Sequence, residues 1–214
     1  MSSTFKARGV IIKETLVRES DKILTILTKE YGKISVSAKG AKNPKSKFLV
    51  AQLFSYCDFV IYKGRSFYSL AQVDLIESFY NLRLDYDRLN TAYQIIKQID
   101  TWSIGEFLPD ENREILLLLL KALLKLSKME RDFELIRLLF GFKFLQLTGF
   151  SPQIEGVYFY TEHEKIKLSN EVIYVLTYIL ESEVTRVFNI RITEKNMVKD
   201  LNLLYNKLLP LLEF

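Results

Sequence analysis

Histidine, cysteine and proline are scarce in this chain of 214 residues, which has one histidine (His163), one cysteine (Cys57) and four prolines. A single cysteine excludes an intramolecular disulfide and is typical of a protein from the reducing cytoplasm. One histidine with one cysteine leaves no ligand set for a tetrahedral zinc site. We therefore expect a cytoplasmic protein that folds without a metal.

The familiar catalytic motifs are also missing. The pair Gly32 and Lys33 is not a phosphate-binding P-loop, because Leu27 stands where the first glycine of that motif would be. There is no glycine-rich dinucleotide fingerprint and no Gly-x-Ser-x-Gly elbow. His163 lies in a polar stretch, and Cys57 lies on the apolar side of a predicted strand. These observations predict that the chain is not an enzyme.

No long hydrophobic run is present. The strongest apolar stretch, residues 115–126, is interrupted by Lys121 and Lys125 and is shorter than the roughly 20 residues that a membrane-spanning helix needs. The chain begins with the polar sequence MSSTFKARG, which lacks the features of a signal peptide. We predict no membrane partner.

What the chain does have is an uneven distribution of charge. The net charge is only +4, but residues 1–80 contain thirteen lysines and arginines against seven aspartates and glutamates. The positive field therefore belongs to the N-terminal third of the chain. Such a field favours an anionic partner.

The densest part of this charge is the stretch GKISVSAKGAKNPKSK, residues 32–47, which has no acidic residue. Its first half alternates between apolar and polar residues, which predicts a strand with one face in solvent. Its second half contains Gly, Asn and Pro, which predict a loop. Ammonium groups on such a strand and loop can follow a phosphate backbone, although a plain solvated strand and loop would have the same composition. The predicted contacts are Lys33, Lys39, Lys42, Lys45 and Lys47.

The overall pattern predicts an α+β fold. Five strand-like runs separated by turn residues occupy residues 5–18, 22–29, 33–41, 53–62 and 66–78. They predict a five-stranded β-barrel of the OB type in residues 1–80. Beyond residue 80 the apolar period changes to 3.6, which predicts an all-helical domain over residues 81–214, with residues 148–170 as a long connection.

The helical part carries its own cluster of cations beside apolar residues: Lys121, Lys125, Lys128 and Arg131. Such a cluster could bind an acidic peptide with a hydrophobic end. It could equally be the solvent face of two helices.

Several of these segments resemble a known family. The sequences ESDKILTILTKEYGK (19–33), AKGAK (38–42) and PKS (44–46) resemble the N-terminal signature of the bacterial RecO family of DNA repair proteins. The sequences LFS (53–55) and GFSP (149–152), with the pairs at 133–134 and 138–139, resemble later parts of that family. The resemblance therefore touches most of the chain.

The resemblance implies an OB barrel joined to a helical domain in a non-enzymatic recombination mediator. Such proteins bind single- and double-stranded DNA, anneal complementary strands, and act with RecR and RecF to help RecA replace single-strand-binding protein (SSB). The resemblance puts DNA contacts on the same five lysines and makes the helical cluster a candidate for the acidic SSB tail. It also implies association with the nucleoid. An OB-fold module for structured RNA is the alternative.

One departure from the family concerns zinc. Many members carry a four-cysteine zinc site directly after the segment that here is GFSP, whereas this chain continues as QIEGVYFYTEHEKIKLS. We therefore expect a zinc-less variant without a cofactor. Val157, Phe159 and Ile166 are predicted to fill the place of the metal by packing.

Overall fold

The computed structural model describes residues 3–17, 19–65, 67–102, 109–160, 164–192 and 195–209. His163, which the sequence analysis placed in a polar stretch, lies outside these residues.

Five strands form a closed barrel in the N-terminal part of the chain. They are β1 (Ser3–Val17), β2 (Asp21–Thr28), β3 (Gly32–Ala38), β4 (Tyr56–Lys63) and β5 (Tyr68–Glu77). Their order around the barrel is β1-β2-β3-β5-β4. Only the β3–β5 pair is parallel among the strand pairs of this barrel. The predicted OB-like barrel is thus confirmed.

The barrel interior follows from alternation along the strands. On β3, Ile34, Val36 and Ala38 point inward and are buried, as the sequence pattern predicted. Bulky apolar side chains from the other strands fill the rest of the interior, among them Ile11, Leu24, Ile26, Phe59, Ile61, Leu70 and Val73. Each such side chain stabilises the fold by about 1.5–3 kcal/mol relative to an exposed one.

Gly9 lies at a close approach between two strands of the barrel. This residue of β1 pairs with Thr28 of β2 on one side and with Cys57 of β4 on the other. A Cβ atom at this position would lie 2.2 Å from the carbonyl oxygen of Leu27. Glycine in a strand often marks such a close approach between two backbones. Any larger residue here would therefore force β1 and β2 apart.

Helices make up most of the described chain after β5. A 3₁₀ turn (Tyr80–Leu84) leads into α1 (Tyr86–Trp102), α2 (Pro109–Lys128), α3 (Phe133–Leu147), α4 (Asn170–Glu181) and α5 (Lys195–Leu208). The α3 helix is apolar almost all round and contacts each of the other four helices. A helix that is hydrophobic on every side belongs in the centre of a bundle. The predicted helical character of this region is confirmed.

A small antiparallel sheet interrupts the helices between α3 and α4. Its strands are β6 (Gln153–Glu155), β7 (Tyr158–Tyr160) and β8 (Lys165–Lys167). The long connection predicted for residues 148–170 therefore contains regular structure, which the sequence pattern does not show because strands of three residues are too short for alternation. Phe159 is fully buried and Ile166 packs against the helical core, as expected, but Val157 is exposed. The prediction that Val157 packs inside was wrong, because it lies in the tight turn between β6 and β7.

Besides the barrel interior, a second hydrophobic cluster joins the outside of the barrel to the helices. Val10 and Ile12 of β1, Leu27 of β2 and Phe54 of the following loop belong to the same cluster of buried residues as the helices. The α1 and α2 helices therefore cover the outer face of β1, and α2 also contacts β2. The boundary near residue 80 remains a prediction, and tight packing crosses it.

Candidate nucleic-acid interface

The basic loop, defined as residues 39–47, follows β3 and is held firmly against the barrel. Ala41 within it, and Phe48 and Ala51 just beyond it, are buried in the barrel interior. Strand β3 ends at Ala38 rather than at residue 41, because Gly40 turns the chain with a φ of 65°. The loop therefore covers one end of the barrel with its apolar residues inward and its lysines outward.

Two backbone amides of the basic loop donate hydrogen bonds to residues at the point where the turn after β1 leads into β2. The amide of Gly40 donates to Oδ1 of Asp21 at 2.8 Å, and the amide of Lys42 donates to the carbonyl oxygen of Ser20 at 3.1 Å. Within the loop, the Asn43 side chain accepts from the amide of Lys45 at 3.0 Å. Such a loop loses little conformational entropy when a ligand binds to it.

Three of the five predicted lysines are available for a ligand. Lys39, Lys42 and Lys45 are exposed, and none of them has an ion pair or a side-chain hydrogen bond to another residue that the structure describes. No carboxylate has to be displaced before these ammonium groups reach a phosphate. This trio is the central feature of the candidate interface.

Lys47 is exposed but partly engaged. Its ammonium donates to the carbonyl oxygen of Ala71 at 2.8 Å and lies 5.1 Å from the centre of the Phe48 ring. An ammonium has three donors, so the remaining two can still face an anion. Lys47 can therefore extend the trio at its far end.

Lys33 differs from the other four because it points toward α1. Its side chain is 23% exposed, and Nζ donates to the carbonyl oxygen of Asp100 at 2.6 Å while Oδ1 of Asp100 lies at 3.6 Å. Lys13 of β1 donates to Oδ2 of the same carboxylate at 2.8 Å, and this hydrogen bond raises the pKa of Lys13. The DNA contact predicted for Lys33 stays untested, and its ammonium already has a partner.

A groove lies on the outside of β1 and β4. The charges at its centre are paired with each other. Nε and Nη2 of Arg8 donate to the two carboxylate oxygens of Asp58 at 2.6 and 2.9 Å, and this contact holds the pKa of Asp58 below its usual range. Glu30 and Asp74 also line this groove. Arg8, the central cation of this groove, is thus less available to phosphate than the lysines of the basic loop.

The helical cations lie along α2 and the turn after it. Lys121 and Lys125 are half-buried, whereas Lys128 and Arg131 are exposed. Among the described side chains of residues 110–147, Leu124 is the one large apolar side chain that is exposed, at 39%. The apolar surface beside these cations is therefore small, and their proposed role in peptide binding stays a prediction.

The described residues contain no group of three or more His, Cys, Asp or Glu side chains that could hold a metal ion. Among the helices that the structure describes, none is long and apolar enough to span a bilayer.

Known proteins match both parts of the chain. A family model described as Recombination protein O N terminal matches residues 1–79, which is the barrel. The DNA repair protein RecO of Acetivibrio thermocellus is 32% identical over 214 aligned residues, which cover 88% of this chain and 84% of that protein. The chain belongs to the RecO family. The resemblance seen in the sequence is confirmed.

Other RecO proteins agree with this assignment. The DNA repair protein RecO of Caldicellulosiruptor saccharolyticus is 30% identical, with 95% of this chain and 92% of that protein covered. The RecO protein of Alkaliphilus metalliredigens is 37% identical over 150 residues, which are 70% of this chain and 60% of that protein. The longer alignments extend well past residue 79 and therefore include the helices.

Proposed function

We propose that this protein acts in DNA repair and recombination as a mediator that binds single- and double-stranded DNA and anneals complementary strands. The observation that carries the proposal is the trio Lys39, Lys42 and Lys45, exposed and unpaired among the described residues on a fixed loop. Ammonium groups in this state bind phosphate oxygens and release condensed counterions. The names of the relatives, DNA repair protein RecO, support the same role.

The mechanism is electrostatic and geometric. The basic loop neutralises the phosphates of one strand, which lowers the repulsion that a complementary strand meets on approach. Base pairing then supplies the specificity and the free energy of annealing. No covalent step is required, so the protein acts without enzymatic chemistry. RecR and RecF act with it, and the outcome is RecA loaded onto single strands that SSB had covered.

Annealing without nucleotide or metal tests this function. Two complementary DNA strands, one of them fluorescently labelled, should pair faster in the presence of the protein, and both should keep their full length on a denaturing gel. A non-complementary strand of the same length is the control and should stay single. Faster annealing of RNA than of DNA would favour the RNA-binding module, and shortened strands would contradict a mediator role.

The acidic tail of SSB is the proposed protein partner of the helical part. Such a tail combines carboxylates with an apolar end, which suits cations beside Leu124. Lys128 and Arg131 are the most exposed members of the cluster, with Lys121 and Lys125 beside them on α2.

Charge reversal tests the peptide site. Lys121→Glu, Lys125→Glu and Arg131→Glu together should weaken a short acidic peptide with an apolar C-terminal residue at least about tenfold, or about 1.4 kcal/mol. Calorimetry should be done on the full chain, because side chains from the barrel part of the chain complete the hydrophobic cluster of the helices. Lys199→Glu on α5 is the control and should bind the peptide normally. The affinity of the triple variant for naked single-stranded DNA should not change. Unchanged peptide binding by the triple variant would contradict this site.

A further inference from the structure

A cleft of about 680 Å³ lies between the barrel and α1, beside the region where the two are in contact. Apolar side chains line part of it, including Ile12, Leu53 and Ile96. Lys13, Lys22, Arg83 and Lys97 also line it, together with two carboxylates, Glu14 and Asp100. Its volume lies in the range of ordinary ligand sites.

The two carboxylates of the cleft are already neutralised. Glu14 accepts from Nζ of Lys22 at 2.6 Å and from the backbone amide of Leu53. Asp100 accepts from Lys13 at 2.8 Å and lies beside Lys33 as well. The cleft therefore keeps an excess of positive charge that its own acids do not cancel.

That excess belongs to Arg83 and Lys97. The Arg83 guanidinium donates only to backbone carbonyl oxygens among the described residues, at 2.6 Å to Leu53 and 3.3 Å to Ser78. Lys97 is exposed, with no side-chain partner in the part of the chain that the structure describes. Both cations can accept an anion without losing an ion pair.

The cleft continues from the basic loop. Lys22 pairs with Ala38 in the β2–β3 ladder, so it lies one residue from the start of that loop. The turn between β1 and β2, just before Lys22, accepts the two hydrogen bonds from Gly40 and Lys42. A DNA strand whose phosphates follow the loop would therefore come close to the opening of the cleft.

An exposed aromatic ring stands in this cleft. Tyr93 of α1 is 51% exposed, and Lys97 lies one helical turn further along the same face. A ring can stack on any base, while a neighbouring cation holds the next phosphate. The bases of a duplex are already paired and stacked, so the arrangement suits a single strand.

We propose that this cleft binds a DNA single strand continuing from the basic loop, with a base stacked on Tyr93 and phosphates held by Lys97 and Arg83. The proposal rests on the DNA-binding function proposed above and adds a second, separate part to the interface. The polar rim and the position beside the loop favour DNA over an acidic peptide.

Fluorescence anisotropy with oligothymidylate of about 15 nucleotides, within reach of a single OB barrel, tests the cleft in the full chain. Tyr93→Ala with Lys97→Ala should weaken binding at least about fivefold, the lower end of what loss of one stacked base costs. The log-log salt slope should fall by about 0.7 for the lost phosphate contact. The matched control is Tyr174→Ala with Lys199→Ala, an exposed tyrosine and an exposed lysine on α4 and α5. This control should bind like the unchanged protein.

The results separate the two proposals. If the Tyr93 and Lys97 variant matches its control while loss of the loop lysines weakens binding, the cleft proposal is wrong and the DNA-binding function stands. If loss of the loop lysines has no effect, the proposed loop interface fails. A variant that binds DNA normally but loses an acidic peptide would show that the cleft takes protein segments, which overturns the proposal.

Photo-crosslinking gives a second, direct readout. An oligothymidylate of the same length that carries 5-iodouracil should crosslink to the full chain, and mass spectrometry should find the peptide that contains Tyr93. Crosslinks confined to residues 39–47 would overturn the proposal.

Discussion

Replacing Lys39, Lys42 and Lys45 together with alanine should lower the log-log salt slope of single-strand binding by about two. Each phosphate contact contributes about 0.7 to this slope through counterion release, so three contacts account for the change. At about 0.1 M salt the same loss corresponds to an affinity about a hundredfold lower. The free energy of unfolding should hardly change, because these side chains are exposed and have no partner among the described residues.

Titrations of a fluorescent single strand at several salt concentrations measure this slope. The matched control removes three cations elsewhere, by Lys167→Ala, Arg191→Ala and Lys199→Ala, all at exposed positions of the helical part. The control keeps the net charge equal to that of the loop variant, so a difference between them reports position rather than total charge. Equal slopes in the two variants would contradict the assignment of the interface.

Gly9→Ala should destabilise the protein by about 3 kcal/mol, the upper end of what overpacking usually costs. The added methyl group would lie 2.2 Å from the carbonyl oxygen of Leu27 and 2.9 Å from its carbon. These are backbone atoms, so no side chain can rotate away to make room. Because β1 pairs with strands on both sides at Gly9, a shift away from β2 also disturbs β4.

Gly40→Ala is the comparison for this substitution, because it separates steric overlap from backbone strain. Unlike Gly9, Gly40 has a positive φ, 65°, and no atom lies within 4 Å of a Cβ built there. Only the strain of the left-handed conformation remains, about 1–2 kcal/mol. Urea denaturation of both variants measures the two losses. A loss for Gly9→Ala no larger than that for Gly40→Ala would contradict the prediction, because it would show that β1 and β2 can move apart at Gly9 with little strain.

The barrel and its basic loop could be predicted because their signals are local. Alternation along β3 fixes which residues face inward, and the Gly, Asn and Pro residues after it mark the loop. The absence of acids from residues 32–47 also keeps Lys39, Lys42 and Lys45 free of near neighbours of opposite charge. Their place in a loop with Gly, Asn and Pro therefore predicts that they are exposed.

The rest of the site depends on contacts between distant residues. Lys33 meets Asp100 across 67 positions of sequence, and only the packing of α1 on the barrel brings them together. In the sequence, Tyr93 and Lys97 are ordinary residues of a helix, because a helical pattern does not show which part of the fold the helix faces. The signal that could have found them is an aromatic residue and a lysine four positions apart on the polar side of α1.

The hydrophobic cluster that joins the barrel to the helices also limits which substitutions the two parts can accept independently. Leu27 and Phe54 belong to the barrel part of the chain but pack among helical side chains such as Ile115 and Leu119. A barrel from one relative placed on the helices of another would bring together surfaces that were never fitted to each other. A change in the size of one side chain in this cluster therefore needs a compensating change in the other part of the chain.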